Sequence, residues 1–376
     1  MSESFSQRPT RIVVDLDALS GNLRAIRSHV GVPVMAILKA NAYGHGLVPV
    51  ARHLQAQGAE RFGVAFVEEG IALRRAGIHL PILVLGGILG RQAGLLIEHD
   101  LELTVSSIDK LRKVEAAAQT LGRKAAIHLK IDTGMERIGV HSETCGPFIE
   151  ASVASRWCTV EGIYSHLACA DDPDDPMTAL QLARFHDACG HFTRLGARMP
   201  IRHLANSGGI LHYPDTWLDM VRPGIALYGV LPDPRSRRTI DVRPALELRS
   251  QVVYFKVVHV GRPVSYGATW APSADTRIVT IPLGYGDGYP RALSNRGQVL
   301  IRGRRLPIVG RVCMDQFMVD LGPDGTAYNG DEVVLIGRQN GETIRVEDLA
   351  AQADTIGYEI LTRLNDRIPR EYVGGE

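Results

Sequence analysis

Residues 33–66 read PVMAILKANAYGHGLVPVARHLQAQGAERFGVAF. An apolar run ends on Lys39, a glycine-bearing turn leads into a helix near Leu47, and a second apolar run begins at Arg61. That is the strand, helix, strand unit of a parallel sheet. The unit repeats outward to about residue 229 with further strand candidates: PILVLG from Pro81, LELTV from Leu101, AAIHLKI from Ala125, TVEGIYSH from Thr159, IRHLAN from Ile201 and the run around MVRPGIALYG from Met220. Between them lie VEEGIALRRAG from Val67 and SSIDKLRKVEAAAQTLG from Ser106, with apolar residues recurring at three and four and a closing glycine. Eight such strands joined by right-handed crossovers favour an α/β fold of the closed (β/α)8 type. The fourth strand and the short connection after Asn206 carry the weakest pattern, and a doubly wound open sheet stays as the alternative.

The stretch LPDPRSRRTIDVRP, from Leu231 to Pro244, has little periodicity and reads as a linker. A boundary near 240 is expected, with a barrel over 1–240 and a second domain over 241–376. The second is expected to be mostly β: ALELRSQVVYFKVVHVG, RIVTIPLGYGDGYP, GQVLIRG, LPIVGRVCMDQFMVDLG and DEVVLIG, then one late helix, VEDLAAQADTIGYEILTRL. RIVVDLDAL from Arg11 stands ahead of the barrel's eight strands and is a candidate member of the β domain. Composition narrows the partners. Lys and Arg total 42 against 41 Asp and Glu, so no net field draws the chain to nucleic acid or an acidic membrane. A small-molecule partner fits better. The five cysteines, Cys145, Cys158, Cys169, Cys189 and Cys313, form no closely spaced pair of the metal or redox kind. With a polar amino terminus and no run of some eighteen apolar residues, a cytoplasmic protein is expected.

A barrel enzyme builds its site at the carboxyl ends of its strands, which gives weight to polar residues there. Lys39 closes the first strand. It is either a lysine that reaches out to solvent or a desolvated amine suited to forming an imine with an aldehyde cofactor. The fifth strand delivers Lys130, Asp132 and Arg137 in LKIDTGMERIG, where a surface salt bridge is the plain alternative. The sixth delivers His166, by itself more often structural than catalytic. The seventh ends in HLANSGG, where Asn206 and Ser207 are candidates to meet a phosphate. The eighth brings Arg222, with Gly224 and Ile225 as backbone donors; a structural arginine there would need a carboxylate partner.

Taken together, LKANAYGHG, DTGMERIG, YSHLA, HLANSGG, VRPGIALYG, PVSYGATW, GYGDGYPR and RVCMDQFMVD resemble the corresponding segments of alanine racemases, the fold-type III pyridoxal-phosphate enzymes, over nearly the whole chain. The resemblance implies pyridoxal phosphate carried by Lys39, its phosphate contacted by Tyr43 and Tyr358, and its phenolic oxygen by Arg137, which also meets substrate. A preceding lysine, here Lys130, is often carbamylated to hold that arginine. It implies Arg222 at the pyridine nitrogen, where a cation opposes ring protonation and shortens the life of a carbanion, as suits a racemase. Two-base racemisation needs a base on each face of the substrate carbon. The implied pair is Lys39 and Tyr266, the latter from the neighbouring subunit of a homodimer. A phenol of pKa about 10 is about one part in a thousand ionised at neutral pH, so His166 and Arg222 are implied to assist it. Met314 and Asp315 would lie at the substrate, and Tyr285, Arg291 and Tyr358 at the entrance. The implied reaction interconverts L- and D-alanine, and no metal is implied.

Three rivals remain. A noncatalytic pyridoxal-phosphate-binding homeostasis protein would share only the barrel, and the β domain argues against it. A barrel decarboxylase would place a carboxylate at the ring nitrogen, where this sequence has Arg222. A serine or broad-spectrum racemase differs in pocket size, and Tyr358 favours a methyl side chain.

Overall fold

The computed structural model describes residues 8–375. Their contacts fall into two compact units, 19–42 with 47–242 and 8–18 with 43–46 and 243–375.

The first unit is a parallel α/β barrel. Its strands need names alongside those that flank it in the chain: β1 (Arg11–Asp15), β2 (Met35–Ile37), β3 (Arg61–Val64), β4 (Ile82–Val84), β5 (Glu102–Val105), β6 (Ala125–Asp132), β7 (Val140–His141), β8 (Cys158–Tyr164) and β9 (Ile201–His203). Within the barrel unit they pair in the order β2, β3, β4, β5, β6, β8, β9, with β7 on β6, all parallel. Intervening helices such as Val67–Arg75, Ile108–Leu121 and Met177–Arg194 carry the chain back. Short apolar runs become strands here because both their faces are covered, and β6 is buried at every position but Ala126.

The run expected as the eighth strand is not one. Only Val221 forms a bridge, parallel to Val34. Pro223 has no N–H to give to a ladder, and Ile225–Tyr228 winds into a 3-10 turn. The segment closes the ring all the same. On one side Met35 donates to Val221 (2.9 Å) and Ile37 to Pro223 (3.2 Å); on the other Asp219 donates to Arg202 (3.1 Å) and Arg222 to Ala205 (3.0 Å). The doubly wound alternative is thereby set aside.

The second unit is mostly β. Its strands continue as β10 (Leu246–Gln251), β11 (Tyr254–Val258), β12 (Thr276–Ile281), β13 (Gln298–Ile301), β14 (Arg304–Val309), β15 (Phe317–Gly322), β16 (Glu332–Gln339), β17 (Glu342–Ile344) and β18 (Arg370–Val373). The sheet order is β11, β12, β15, β14, β13, β16, β10, β1, β18, with β17 on β16. Strand β1 lies antiparallel to β10 and parallel to β18. The late helix is two helices, Val346–Ala353 and Gly357–Arg363, because Asp354 takes a left-handed conformation (φ 55°) that ends the first. No described helix is long and apolar enough to cross a membrane.

Candidate active site

Alternation along a strand sends every second side chain to one face. On β6 this aligns His128, Lys130 and Asp132, all buried. Beside them Tyr164 ends β8, and its ring stacks on His203 of β9 with centroids 4.8 Å apart and planes 8° from parallel. Two cations lie over the Tyr164 ring, Lys130 Nζ at 4.9 Å and the Arg222 guanidinium at 5.3 Å. Arg222 is 3 % exposed and its hydrogen bonds go to strand-end groups, not to a carboxylate. Nη1 donates to His203 O (2.6 Å) and to His203 Nδ1 (3.1 Å). Nη2 donates to Ser165 O (2.7 Å), Leu204 O (3.1 Å) and His166 Nδ1 (3.3 Å). Burial pushes its pKa down to about 10, which leaves it charged at neutral pH.

The cations converge. Burial, then Arg222, Lys130, Arg137 and Lys39, hold the His166 imidazole well below its ordinary pKa. Lys39 is lowered by burial and by Arg137 and Arg222, with Glu69 opposing. Lys130 is lowered to about 7 by burial and by Arg222 and Arg137, against Asp132. Asp132 does not serve as a simple ion-pair partner. Its Oδ1 accepts from the backbone of Gly134 (2.8 Å), Met135 (3.0 Å) and Glu136 (3.2 Å), and Oδ2 from Arg137 N (3.3 Å), shaping the loop that carries Arg137.

The turn after Lys39 is left-handed. Ala40, Asn41, Ala42 and Tyr43 have φ of 54°, 56°, 53° and 52°, a conformation that costs L-residues about 1–2 kcal/mol each. Side chains brace it. Glu69 Oε1 accepts from Ala40 N (2.7 Å) while its Oε2 accepts from Ala65 N (2.8 Å) and Phe66 N (3.1 Å); Asn41 Oδ1 accepts from Leu47 N (2.7 Å). Across the barrel ends, Asn206 is engaged in capping, its Oδ1 accepting from Gly209 N (3.0 Å). Ser207 Oγ accepts from Gly224 N (3.1 Å) and Ala226 N (3.2 Å), and Ile225 is fully buried between them in the chain.

The β unit assembles the other residues. Tyr43 and Tyr358 bring their rings to 6.1 Å, and Gly44 (φ +80°) lies so close to the second late helix that a Cβ would sit 2.3 Å from Leu361 O. Tyr266, 73 % exposed, opens on a cleft of about 610 Å³ lined also by Ser265, Cys313, Met314, Asp315 and Met318. The Tyr285 loop is tied to two of these lining residues, Tyr285 N donating to Cys313 O (3.0 Å) and Gly286 N to Met314 O (2.9 Å). Asp315 pairs with Arg367 at 2.6 Å. Arg291 is exposed at the start of the short turn Arg291–Leu293.

With this geometry in view, residues 14–232 match the model for the alanine racemase N-terminal domain and residues 245–372 that for the C-terminal domain. The chain belongs to the alanine racemase family. It is 46 % identical to an alanine racemase of Symbiobacterium thermophilum over 370 residues, 98 % of each chain. The crystal structure of an alanine racemase from Streptomyces lavendulae superposes with a TM-score of 0.94 at 40 % identity, covering 98 % of both chains. Another, from Bartonella henselae with covalently bound pyridoxal phosphate, gives 0.88 at 30 % identity over 97 % of this chain and 99 % of that one.

The alanine racemase residues present here fit an anionic aldehyde cofactor. Lys39, Lys130, Arg137 and Arg222 give a group of basic side chains, two of them amines held below their usual pKa. Sequence reading passed over Tyr164, His203, His128, Glu102 and Glu69. A signal existed for four of them, since Glu102 with Thr104, His128 with Lys130, Tyr164 and His203 are polar positions within apolar strands. Glu69 sits in an ordinary helix first turn and had none.

Proposed function

We propose that this alanine racemase family member interconverts L- and D-alanine with pyridoxal phosphate carried on Lys39, and with Lys39 and Tyr266 of the partner subunit as the two bases. The observation that carries the reading is Arg222, a buried cation aimed by carbonyls and imidazoles among Lys39, Lys130 and Arg137. When bound, pyridoxal phosphate supplies the electron-withdrawing ring that acidifies the α-hydrogen of the amino acid.

The remaining work belongs to side chains. Arg222 presents a cation to the pyridine nitrogen and opposes its protonation, which disfavours decarboxylase or transaminase chemistry. Arg137 meets the phenolic oxygen and the substrate. Tyr43, Tyr358, Asn206, Ser207 and the Gly224 and Ile225 backbone would hold the phosphate, Ser207 Oγ accepting the Gly224 and Ala226 N–H and keeping its own hydroxyl proton to donate. Lys39 takes or returns a proton on one face of the substrate carbon, helped by a depressed pKa. Tyr266 acts on the other. Its ionisation is assisted through His166, which accepts from Arg222. Met314 and Asp315, beside Tyr266 in its cleft, meet the substrate. Tyr285, Arg291 and Tyr358 form the entrance. Lys130, its amine lowered to about 7 by burial, Arg222 and Arg137, is more reactive toward carbon dioxide than an ordinary lysine, and its carbamate would hold Arg137.

An exposed Tyr266 beside an exposed Met314 supports a homodimer with shared sites. We also place the protein in the cytoplasm and the domain boundary near 240, with β1 in the β domain. A racemase of broad specificity is the second reading, and Tyr358 argues against it. The deciding experiment is spectroscopic. The holoenzyme is expected to absorb near the visible edge, to lose that band on borohydride treatment and to carry the label on Lys39. Lys39→Ala is expected to lose band and turnover together, and a variant that keeps both would reject the assignment.

A further inference from the structure

A line of polar side chains runs through the barrel core behind Arg222. His203 Nδ1 lies 3.1 Å from Arg222 Nη1, His203 Nε2 lies 2.9 Å from His128 Nδ1, and His128 Nε2 lies 3.2 Å from Glu102 Oε2. The other oxygen of Glu102 accepts from Arg61 Nη1. His128 and His203 are fully buried, and Glu102 is buried too.

Donor and acceptor chemistry assigns every proton in this line. Arginine only donates, so His203 Nδ1 accepts and carries no hydrogen. The neutral ring then holds its proton on Nε2 and gives it to His128 Nδ1. That ring in turn holds its proton on Nε2, the nitrogen that faces an ionised Glu102 as an ion-pair contact at 3.2 Å, outside hydrogen-bond angles. An imidazolium at His128 would require His203 to be an anion, and an imidazolium at His203 would set N–H against the guanidinium. Burial and the nearby Arg222 hold His203 well below its ordinary pKa, in agreement. Burial alone would raise the Glu102 carboxyl, yet His128 and Arg61 outweigh it and hold it at about 2.

We propose that Arg61, Glu102, His128 and His203 form a polarised relay that fixes the His203 tautomer and so aims Arg222, making Glu102, His128 and His203 positioning residues for the reaction. Local packing is shaped around the line. Tyr164 stacks flat on His203, and Gly162 leaves room for His128, since a Cβ there would sit 2.2 Å from His128 Nδ1. A role in packing alone would be met by apolar side chains. A buried donor or acceptor left without its partner keeps its full desolvation cost, so the order of donors is strongly enforced. The consequence for catalysis rests on the reading of Arg222 above; the tautomers do not.

The test reads the tautomers directly, by nitrogen-15 NMR of the holoenzyme labelled in histidine. His128 and His203 are expected as neutral Nε2–H rings. In Glu102→Gln the amide oxygen stays with Arg61 and its N–H faces His128, so both tautomers should reverse and His203 should turn an N–H against Arg222. The kcat for racemisation should fall about tenfold or more, with less change in KM. Adding Arg61→Met frees the amide to rotate its oxygen toward His128, and both tautomers and most of kcat should return. A purely structural role predicts no such rescue. Either ring found as Nδ1–H or imidazolium in the wild-type protein would overturn the relay, even if Glu102→Gln failed to fold, as would an unchanged spectrum in that variant. Tautomers that reverse with kcat intact would overturn the aiming of Arg222 while leaving the Lys39 and Tyr266 assignments standing.

Discussion

Lys130 shows how far a residue's chemistry departs from its type. Buried to 5 % exposure, with Arg222 and Arg137 near, its amine is lowered to about 7. The sign of the effect follows. The unfolded chain holds this proton up to about pH 10.4, so the folded state is penalised below pH 7 and the penalty is relieved as pH rises from about 7 toward 10.4. Only the neutral amine attacks carbon dioxide. At constant dissolved carbon dioxide, carbamate formation should therefore rise as pH passes through about 7. Carbon-13 NMR with labelled bicarbonate should show one carbamate signal that vanishes in Lys130→Ala; a signal that persists would place the modification elsewhere. Tyr358, paired with Tyr43, sets pocket size in the proposed reading. Tyr358→Ala should favour serine over alanine by roughly 1 to 3 kcal/mol in kcat/KM, and an unchanged ratio would remove Tyr358 from the pocket.

Among the elements, the left-handed turn at 40–43 is the least self-sufficient. Its strain has to be met by bonds from outside, and Glu69, itself fixed by Ala65 N and Phe66 N, accepts from Ala40 N. Glu69→Ala should lower stability to urea by about 1–3 kcal/mol and disturb Lys39, reducing kcat. Ala40→Gly acts oppositely. Ala40 is exposed with φ 54°, and glycine removes the strain at the cost of a freer unfolded chain. A gain of up to about 1 kcal/mol is expected. Loss of stability in Ala40→Gly would mean that the turn is not strained at that residue.

At the scale of the whole molecule the proposal of shared sites has a test that needs no further structure. Lys39→Ala and Tyr266→Phe are each expected to be inactive as homodimers. Coexpressed, random pairing makes half the dimers mixed, and each mixed dimer has one site with both bases restored, so about a quarter of wild-type activity should return. Confirmed heterodimers without recovered activity would show that both bases belong to one chain.

Several parts of the molecule were legible before any coordinates. The barrel strands other than the last and the β character of the later chain follow from local pattern, because apolar periodicity is written within a few adjacent residues. Strand-end polarity marked the segments around Lys39, Arg137, His166 and Arg222 only as candidates, and their roles came from the family resemblance. The rest depends on neighbours far along the chain. Residues 219–223 close the barrel through bonds to β2 and β9, which a proline-interrupted run does not announce. Strand β1 finds its partners in β10 and β18, more than two hundred residues away. The left-handed turn takes its support from Glu69. Arg222 is held by carbonyls and imidazoles, without the carboxylate that a purely structural arginine would need. Sequence by itself determined which residue types lie where along each strand; tertiary structure alone decided which of them share a proton, since hydrogen-bond partners and desolvation exist only once distant strands are side by side.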